Sequence, residues 1–316
     1  MNLAPGDRRT GTQTPRLRIA AIRFLNPAPL MWDFEHEPHK SALAQRYTVD
    51  WMMPAACADR LALPIDAPNA ADIGLIPIAS LATIPGLQII PGCAIAAKGR
   101  IRSLLLVRRA GQPIEAIRTV AADTSSRATL AYTQILFHLW QNPFAAFLQH
   151  PPDLDAMLAE HDAAILIGDP ALYALEDRQS REDRTGEKLV YHDLAEEWIK
   201  FTGVPWISAV WAVREASLAA RNLSLGELAE DFTASRDHGL ANIEPLVAEW
   251  AGRIAIPAQT IRAYLTGNIF YELDAACIAG LERFYRLALE TGTLPQSPHT
   301  PFDSESIRRL LPASRT

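Results

Sequence analysis

The stretch "VAADTSSRATLAYTQILFHLW", residues 120–140, gathers Asp123, Thr124, Ser125, Ser126 and Arg127 between an apolar run and an amphipathic one. A strand that feeds a helix needs one N-cap, and any of these oxygen-bearing side chains serves, because each can accept from a free N–H of the first turn. Two readings stand: a redundant cap, or an anion site in which N–H groups, the positive end of the helix dipole, the hydroxyls and Arg127 hold a carboxylate or a phosphate. Asn26, at the end of "LRIAAIRFLN", has an amide that both donates and accepts, which suits a hydroxyl or carboxylate at a cleft mouth. Its bland alternative is an Asx-turn before Pro27. Asp169 follows an apolar run and precedes Pro170, as a helix cap, as a holder of a hydroxyl or Arg in the cleft, or as both. Arg102 and Ser103, where the chain enters "SLLLV", are further candidates for the same cleft.

Other chemistry finds less support. No GxGxxG follows a strand, no Gly-rich loop ends in Gly-Lys-Ser/Thr, and there is neither a GxSxG elbow nor an HExxH pair. The three cysteines, Cys57, Cys93 and Cys277, lie far apart without ligand spacing, so they read as buried thiols and no metal is expected. His36 and His39 in "DFEHEPHK" either overhang a cleft or form a polar loop. His192 reads as a cap before "LAEEW", with a general base as the alternative. Glu196 and Glu197 read as an exposed helical face, and Asp72 as structural.

The elements that must position these residues follow α/β grammar: short apolar segments alternate with longer amphipathic ones. Strands are expected at "LRIAAIRFL", "YTVDWMMP", "ADIGLIPIASL" up to the Ile76-Pro77 turn, "LQIIPGCAIAA", "IRSLLLVRR", "RTVAAD", "DAAILIGDPAL" and "GVPWISAVWAVRE". Helices are expected over "ACADRLAL", 126–141 and "DLDAMLAEH", and the chain is expected to be almost wholly helical after Ser217. The charged stretch 176–188, "EDRQSREDRTGEK", reads as a solvated excursion. The simplest assembly has a disordered leader over 1–16, one lobe from 17–107 and 206–316 with a helical tail, and an inserted lobe from 108–205. Asn26, Pro77, Ser125-Ser126 and Asp169 then fall at strand carboxyl ends, where open α/β sheets bind ligands.

With 316 residues, near-zero mean hydropathy and a formal charge of −6, the chain reads as an ordinary globular protein. It has no basic cluster of the kind that binds nucleic acid or anionic lipid. No apolar run reaches membrane-spanning length, and Arg23 interrupts the N-terminal patch, so a cytoplasmic location is expected.

Taken together, "FLNPAPL", "ADIGLIPI", "GRIRSLLLV", "ADTSSRATL", "DAAILIGDPAL", "DLAEEWIKFTGVPWISAVWAVR" and "YLTGNIFYELDAACIAGLERFYRLALETG" resemble the chorismate dehydratase family of the futalosine route to menaquinone. The likeness runs from about residue 18 to about 293. It implies a fold like that of type II periplasmic binding proteins, two α/β lobes about a hinge with a helical C-terminal segment. It also implies a hydro-lyase, a carbon–oxygen lyase that needs no cofactor and converts chorismate to 3-[(1-carboxyvinyl)oxy]benzoate and water. Asn26 matches the family's functional Asn; Ser103, Thr124, Ser125, Ser126, Arg127, Thr129 and Asp169 are the substrate-binding candidates. The resemblance involves neither nucleic acid nor membrane, and leaves monomer and homodimer open. Two departures stand out. The family commonly reads Ser-Arg-Thr-Ser where this chain has Ser126-Arg127-Ala128-Thr129, and often has Ser where this chain has Ala97. The competing functions are the sister enzyme that makes 1,4-dihydroxy-6-naphthoate, thought to use a His base, and a solute-binding protein for a small carboxylate.

Overall fold

The computed structural model describes residues 16–123 and 127–295. Two five-stranded mixed sheets form the frame. The first has β2 (Tyr47–Met52) and β1 (Leu17–Ile22) parallel at one edge, then β3 (Ile73–Pro77), β10 (Trp206–Arg214) and β4 (Leu87–Ala97), with β10 antiparallel to both of its neighbours. The second runs β7 (Ala146–His150), β6 (Thr119–Asp123), β8 (Ala163–Ile167), β5 (Leu104–Arg109) and β9 (Leu189–Asp193). β3 and β8 are buried at every position and helix-covered, which is why they read in sequence as continuous apolar runs.

The chain crosses between the sheets twice. Leu104–Arg109 lies wholly in the second sheet, paired with β8 and β9, so the first crossover falls at 98–103 and not at the 107/108 boundary drawn from sequence. The buried carboxylate of Asp193, at the end of β9, holds this crossover. It accepts from Ile101 N at 3.0 Å and Arg102 N at 2.7 Å, while also capping helix Leu194–Thr202 through Glu196 N at 3.1 Å. Arg102 sits there at φ +64°, a left-handed conformation rarely adopted by a side-chain-bearing residue. The second crossover is that same helix, ended by Gly203 at φ +72° before β10 begins.

Helix Arg127–Leu139 of the second lobe reaches into this hinge. Tyr132 stacks on Trp206 at 3.7 Å between ring centroids, meets Trp198 edge-on, and packs against Phe284 of the last helix, Ala275–Glu290. Its hydroxyl accepts from Ile207 N at 3.2 Å.

Three expectations are corrected. The stretch 176–188 contains the helix Arg178–Thr185, and Arg181 within it is buried, bridging Asp155 at 2.6 Å and Glu187 at 2.7 Å. Its buried face is made by ion pairs, which leave no apolar period in the sequence. The C-terminal region is not continuously helical: a π-turn over Tyr264–Asn268 follows Ala258–Ala263, and Phe270 then pairs with Ala96 in both hydrogen-bonding directions. His192 is a β9 residue, and the cap is Asp193. The expected leader lies outside the described residues apart from Arg16.

Replacing Asp193 by Ala leaves three backbone N–H groups of the hinge without their acceptor. The expected loss is about 3 kcal/mol of unfolding free energy, with Asp193→Asn losing about half as much. Urea denaturation measures both, and a loss below about 0.5 kcal/mol for the alanine variant would mean that water replaces the carboxylate.

Candidate functional site

The carboxyl ends of β1, β3 and β8 meet the start of β5 and the middle of β10 around a cavity of about 30 Å³. Asn26, Pro77 and Ser208 come to it from the first lobe, Thr129 and Gly168 from the second, and Ile22, Ile95 and Ile167 supply apolar wall. This is the cleft expected of two joined α/β lobes, drawn closed.

Asn26 follows β1 and precedes a turn of 3-10 helix, Ala28–Met31, whose first residues are proline-flanked and buried. Its Oδ1 is buried and, among the described residues, has no hydrogen-bond partner. A buried carbonyl left without a donor costs on the order of 1–3 kcal/mol, so its persistence at a cavity wall marks an acceptor waiting for a ligand's donor. The Asx-turn reading is therefore set aside, because such a turn would use this oxygen.

The second lobe closes on the same segment. Gly168, at φ +61°, lies so near Phe24 that a Cβ would stand 2.8 Å from the ring. The next residue, Asp169, begins helix Asp169–Glu176, but its carboxylate does not cap it; Oδ1 accepts from Leu25 N across the cleft at 3.3 Å. Desolvation pushes the Asp169 carboxyl up to about 6, and the single Leu25 N–H only partly offsets it.

The remaining sequence candidates divide. Thr129 is buried in the first turn of helix Arg127–Leu139 and lines the cavity; its neighbour Ala128 is buried in the core. Thr124, Ser125 and Ser126 lie outside the described residues. Arg127 turns to the rim and pairs with Asp59 of helix Pro54–Ala62 at 2.6 Å, a contact that closes the cleft mouth. Ser103 is buried behind the cavity wall, where its Oγ accepts from Tyr264 Oη at 2.7 Å. Arg102 pairs with Glu176 at 3.2 Å. His36 hydrogen-bonds Glu249 and stacks on Trp32, while His192 Nε2 accepts from Arg108 Nε at 3.0 Å; neither lines the cavity. The three cysteines are free and buried, and burial pushes their thiols up to about 12, leaving them unreactive.

Sequence reasoning missed Ser208, whose Oγ accepts from Trp206 Nε1 at 2.8 Å beside the cavity. The signal was present as the one hydroxyl in the apolar run "WISAVWAV".

The raised Asp169 carboxyl has a stability consequence with a definite sign. Its neutral form is favoured by the fold, so its contribution is fully present below the ordinary value of 3.8 and is lost as pH rises through about 6. Asp169→Asn, which keeps an acceptor for Leu25 N, is expected to be more stable than the parent above pH 6, by on the order of 2 kcal/mol. The advantage fades toward pH 4. Paired thermal melts from pH 4 to 8 test this; a pH-independent difference would show that the carboxyl is not desolvated.

Comparison with known proteins gives the family and the fold of the chain. A family described as menaquinone biosynthesis matches residues 17–290. The chorismate dehydratase of Thermus thermophilus is 26% identical over 207 residues, 63% of this chain and 72% of that protein. Among solved structures, the alkanesulfonate-binding protein of Xanthomonas axonopodis pv. citri superposes with a TM-score of 0.63 at 13% identity, over 94% of this chain and 97% of its own. A Candida albicans protein with the generic periplasmic binding protein fold gives 0.60 at 13% identity, over 94% of each chain. These likenesses establish the two-lobed periplasmic-binding-protein-like fold. Matched across nearly the whole of its described residues, the chain belongs to the menaquinone biosynthesis family.

Proposed function

We propose that the protein is a chorismate dehydratase, removing water from chorismate to give 3-[(1-carboxyvinyl)oxy]benzoate. The observation that carries this reading is the unpartnered Asn26 Oδ1 in a closed cavity between the lobes, in a chain of this family. The similarity to the Thermus thermophilus enzyme supports it.

The chemistry asks little of the protein beyond position. The ring carbon bearing the enolpyruvyl ether loses a proton, its C–H electron pair forms a ring double bond, and the neighbouring hydroxyl leaves; with one proton it becomes water, and the ring becomes aromatic. We assign the proton removal to the side-chain carboxylate of chorismate itself, with the protein orienting it. The described cavity residues include no histidine for the alternative His-base chemistry of the sister enzyme. Asn26 orients the substrate by accepting from its hydroxyl and donating through its NH₂ to developing negative charge. Thr129 and Ser208 add hydroxyl oxygens beside it, and the apolar wall excludes water.

The closed cavity is roughly tenfold smaller than the 300 Å³ or more typical of small-molecule sites, so substrate entry requires the lobes to part. Separation at the mouth breaks the Arg127–Asp59 pair and the Leu25–Asp169 hydrogen bond. Freed in that way, Arg127 becomes available to a substrate carboxylate.

Purified protein incubated with chorismate, without added metal or nucleotide, is expected to form the aromatic product, followed by its absorbance and mass. Asn26→Asp is expected to keep the parent's melting temperature and lose at least about 100-fold in kcat/KM. Undiminished turnover in that variant removes Asn26 from the mechanism. Chorismate bound but unchanged by the parent protein would favour a carrier, and no binding at all would overturn the proposal.

A further inference from the structure

The segment that carries Asn26 continues through Ala28–Met31 into the short helix Trp32–Glu35 and lies against the long helix Leu225–Ala241. The approach is close: a Cβ on Gly239 would fall 2.1 Å from the Pro29 carbonyl oxygen. Ser235 stitches the seam, accepting from Asp33 N at 3.0 Å and donating to Leu30 O at 2.9 Å.

At this seam Asp33 is 3% exposed, yet among the described residues its carboxylate meets no Arg, Lys or backbone N–H. Its one partner is His238, whose Nδ1 lies 2.8 Å from Oδ2. The exposed His39 stacks its ring on that of His238, with centroids 4.8 Å apart and planes 15° apart. One carboxylate oxygen and one nitrogen from each imidazole all lie within 4.8 Å of one another.

A buried carboxylate calls for a compensating cation, and two imidazoles beside it complete a donor set suited to zinc and similar transition ions. Magnesium and calcium prefer oxygen alone. We infer that Asp33, His39 and His238 bind one divalent transition-metal ion, zinc foremost, which staples the Asn26-bearing segment to helix Leu225–Ala241. Donors around a tetrahedral zinc stand about 3.4 Å apart. A ring nitrogen binds an ion in the plane of its ring, so His39, on the surface, turns out of its stack on His238 to aim a nitrogen at the ion, while Asp33 and His238 are already in contact. Any proton held at the coordinating His238 nitrogen passes to solvent as the ion enters, and water fills the fourth position. The ion's role is structural, because none of its ligands lines the interlobe cavity. Sequence spacing gives no hint of it, since two ligands lie six residues apart and the third comes from position 238.

The test is titration of untagged, EDTA-treated protein with zinc chloride in a calorimeter, paired with thermal melts and the visible spectrum of the cobalt(II) form. Saturable binding of one ion per chain is expected, with a melting temperature raised by zinc and lowered again by chelator. Binding should weaken at least tenfold in His39→Ala and in His238→Ala, and stay unchanged in His150→Ala, which alters a half-buried histidine of the other lobe. Because His39 is exposed, its variant is expected to fold even if the buried Asp33→Asn does not. Absence of saturable binding, or unchanged affinity in the His39→Ala/His238→Ala double variant, overturns the inference.

Discussion

One buried carboxylate holds the two lobes in register. Asp193 ends a strand of the second sheet, caps the helix that returns the chain to the first, and accepts the N–H groups of Ile101 and Arg102 on the way out. Both crossovers therefore pass through a single side chain. Burial pushes its carboxyl above the ordinary range, although three N–H groups act in the opposite direction. That opposition marks a group placed for geometry at the expense of solvation. With Ile101 and Arg102 fixed, β5 enters the second sheet at Leu104, and the Gly168 N–H can reach the Ser103 carbonyl at 2.8 Å. The positions of Gly168 and Asp169 over Phe24 and Leu25 follow from this.

Around that anchor the hinge is apolar and aromatic. Tyr132, Trp198, Trp206 and Phe284 come from both lobes and from the last helix, and all four are fully buried. Aromatic contacts of this kind contribute about 0.5–1.5 kcal/mol each beyond the area they bury. The mouth of the cleft is joined differently, by an exposed Arg127–Asp59 pair and one long N–H···O bond to Asp169. Exposed ion pairs contribute about 0–1 kcal/mol. The cleft is thus strongly joined at its back and weakly joined at its lips, the distribution that lets two lobes part about a hinge.

Much of this was legible in sequence where burial writes an apolar pattern. The central strands β1, β3, β8 and β10 appear as apolar runs, and the strand ends that carry Asn26 and Asp169 could be located from them. The edge strands β7 and β9 could not, because they are half-exposed and have no uninterrupted apolar face. Helix Arg178–Thr185 escaped for a related reason: Arg181 is buried by Asp155 and Glu187, and a buried ion pair looks in sequence like a solvated one. Within the site, residue type marks groups with hydrogen-bonding capacity, while partner choice was invisible. Arg127 and Ser103 have the right chemistry, but Asp59 and Tyr264, far away in the chain, take it up. The hinge role of Asp193 was equally hidden, since a capping Asp at a strand-to-helix turn says nothing about a second pair of N–H groups arriving from 92 residues earlier.

The partnering of Arg127 and the lack of a partner at Asn26 bear on each other. Arg127 has an exposed carboxylate to hold when the lobes are together, so its charge is compensated without ligand at little cost. Asn26 has no such substitute among the described residues; its carbonyl remains buried and unpaired when the cavity is shut. Closure without ligand therefore carries an unsatisfied acceptor, and closure around a ligand that donates to Asn26 does not. An acceptor placed in this way biases the lobes toward closing on a bound molecule that donates to it, in preference to an empty cleft.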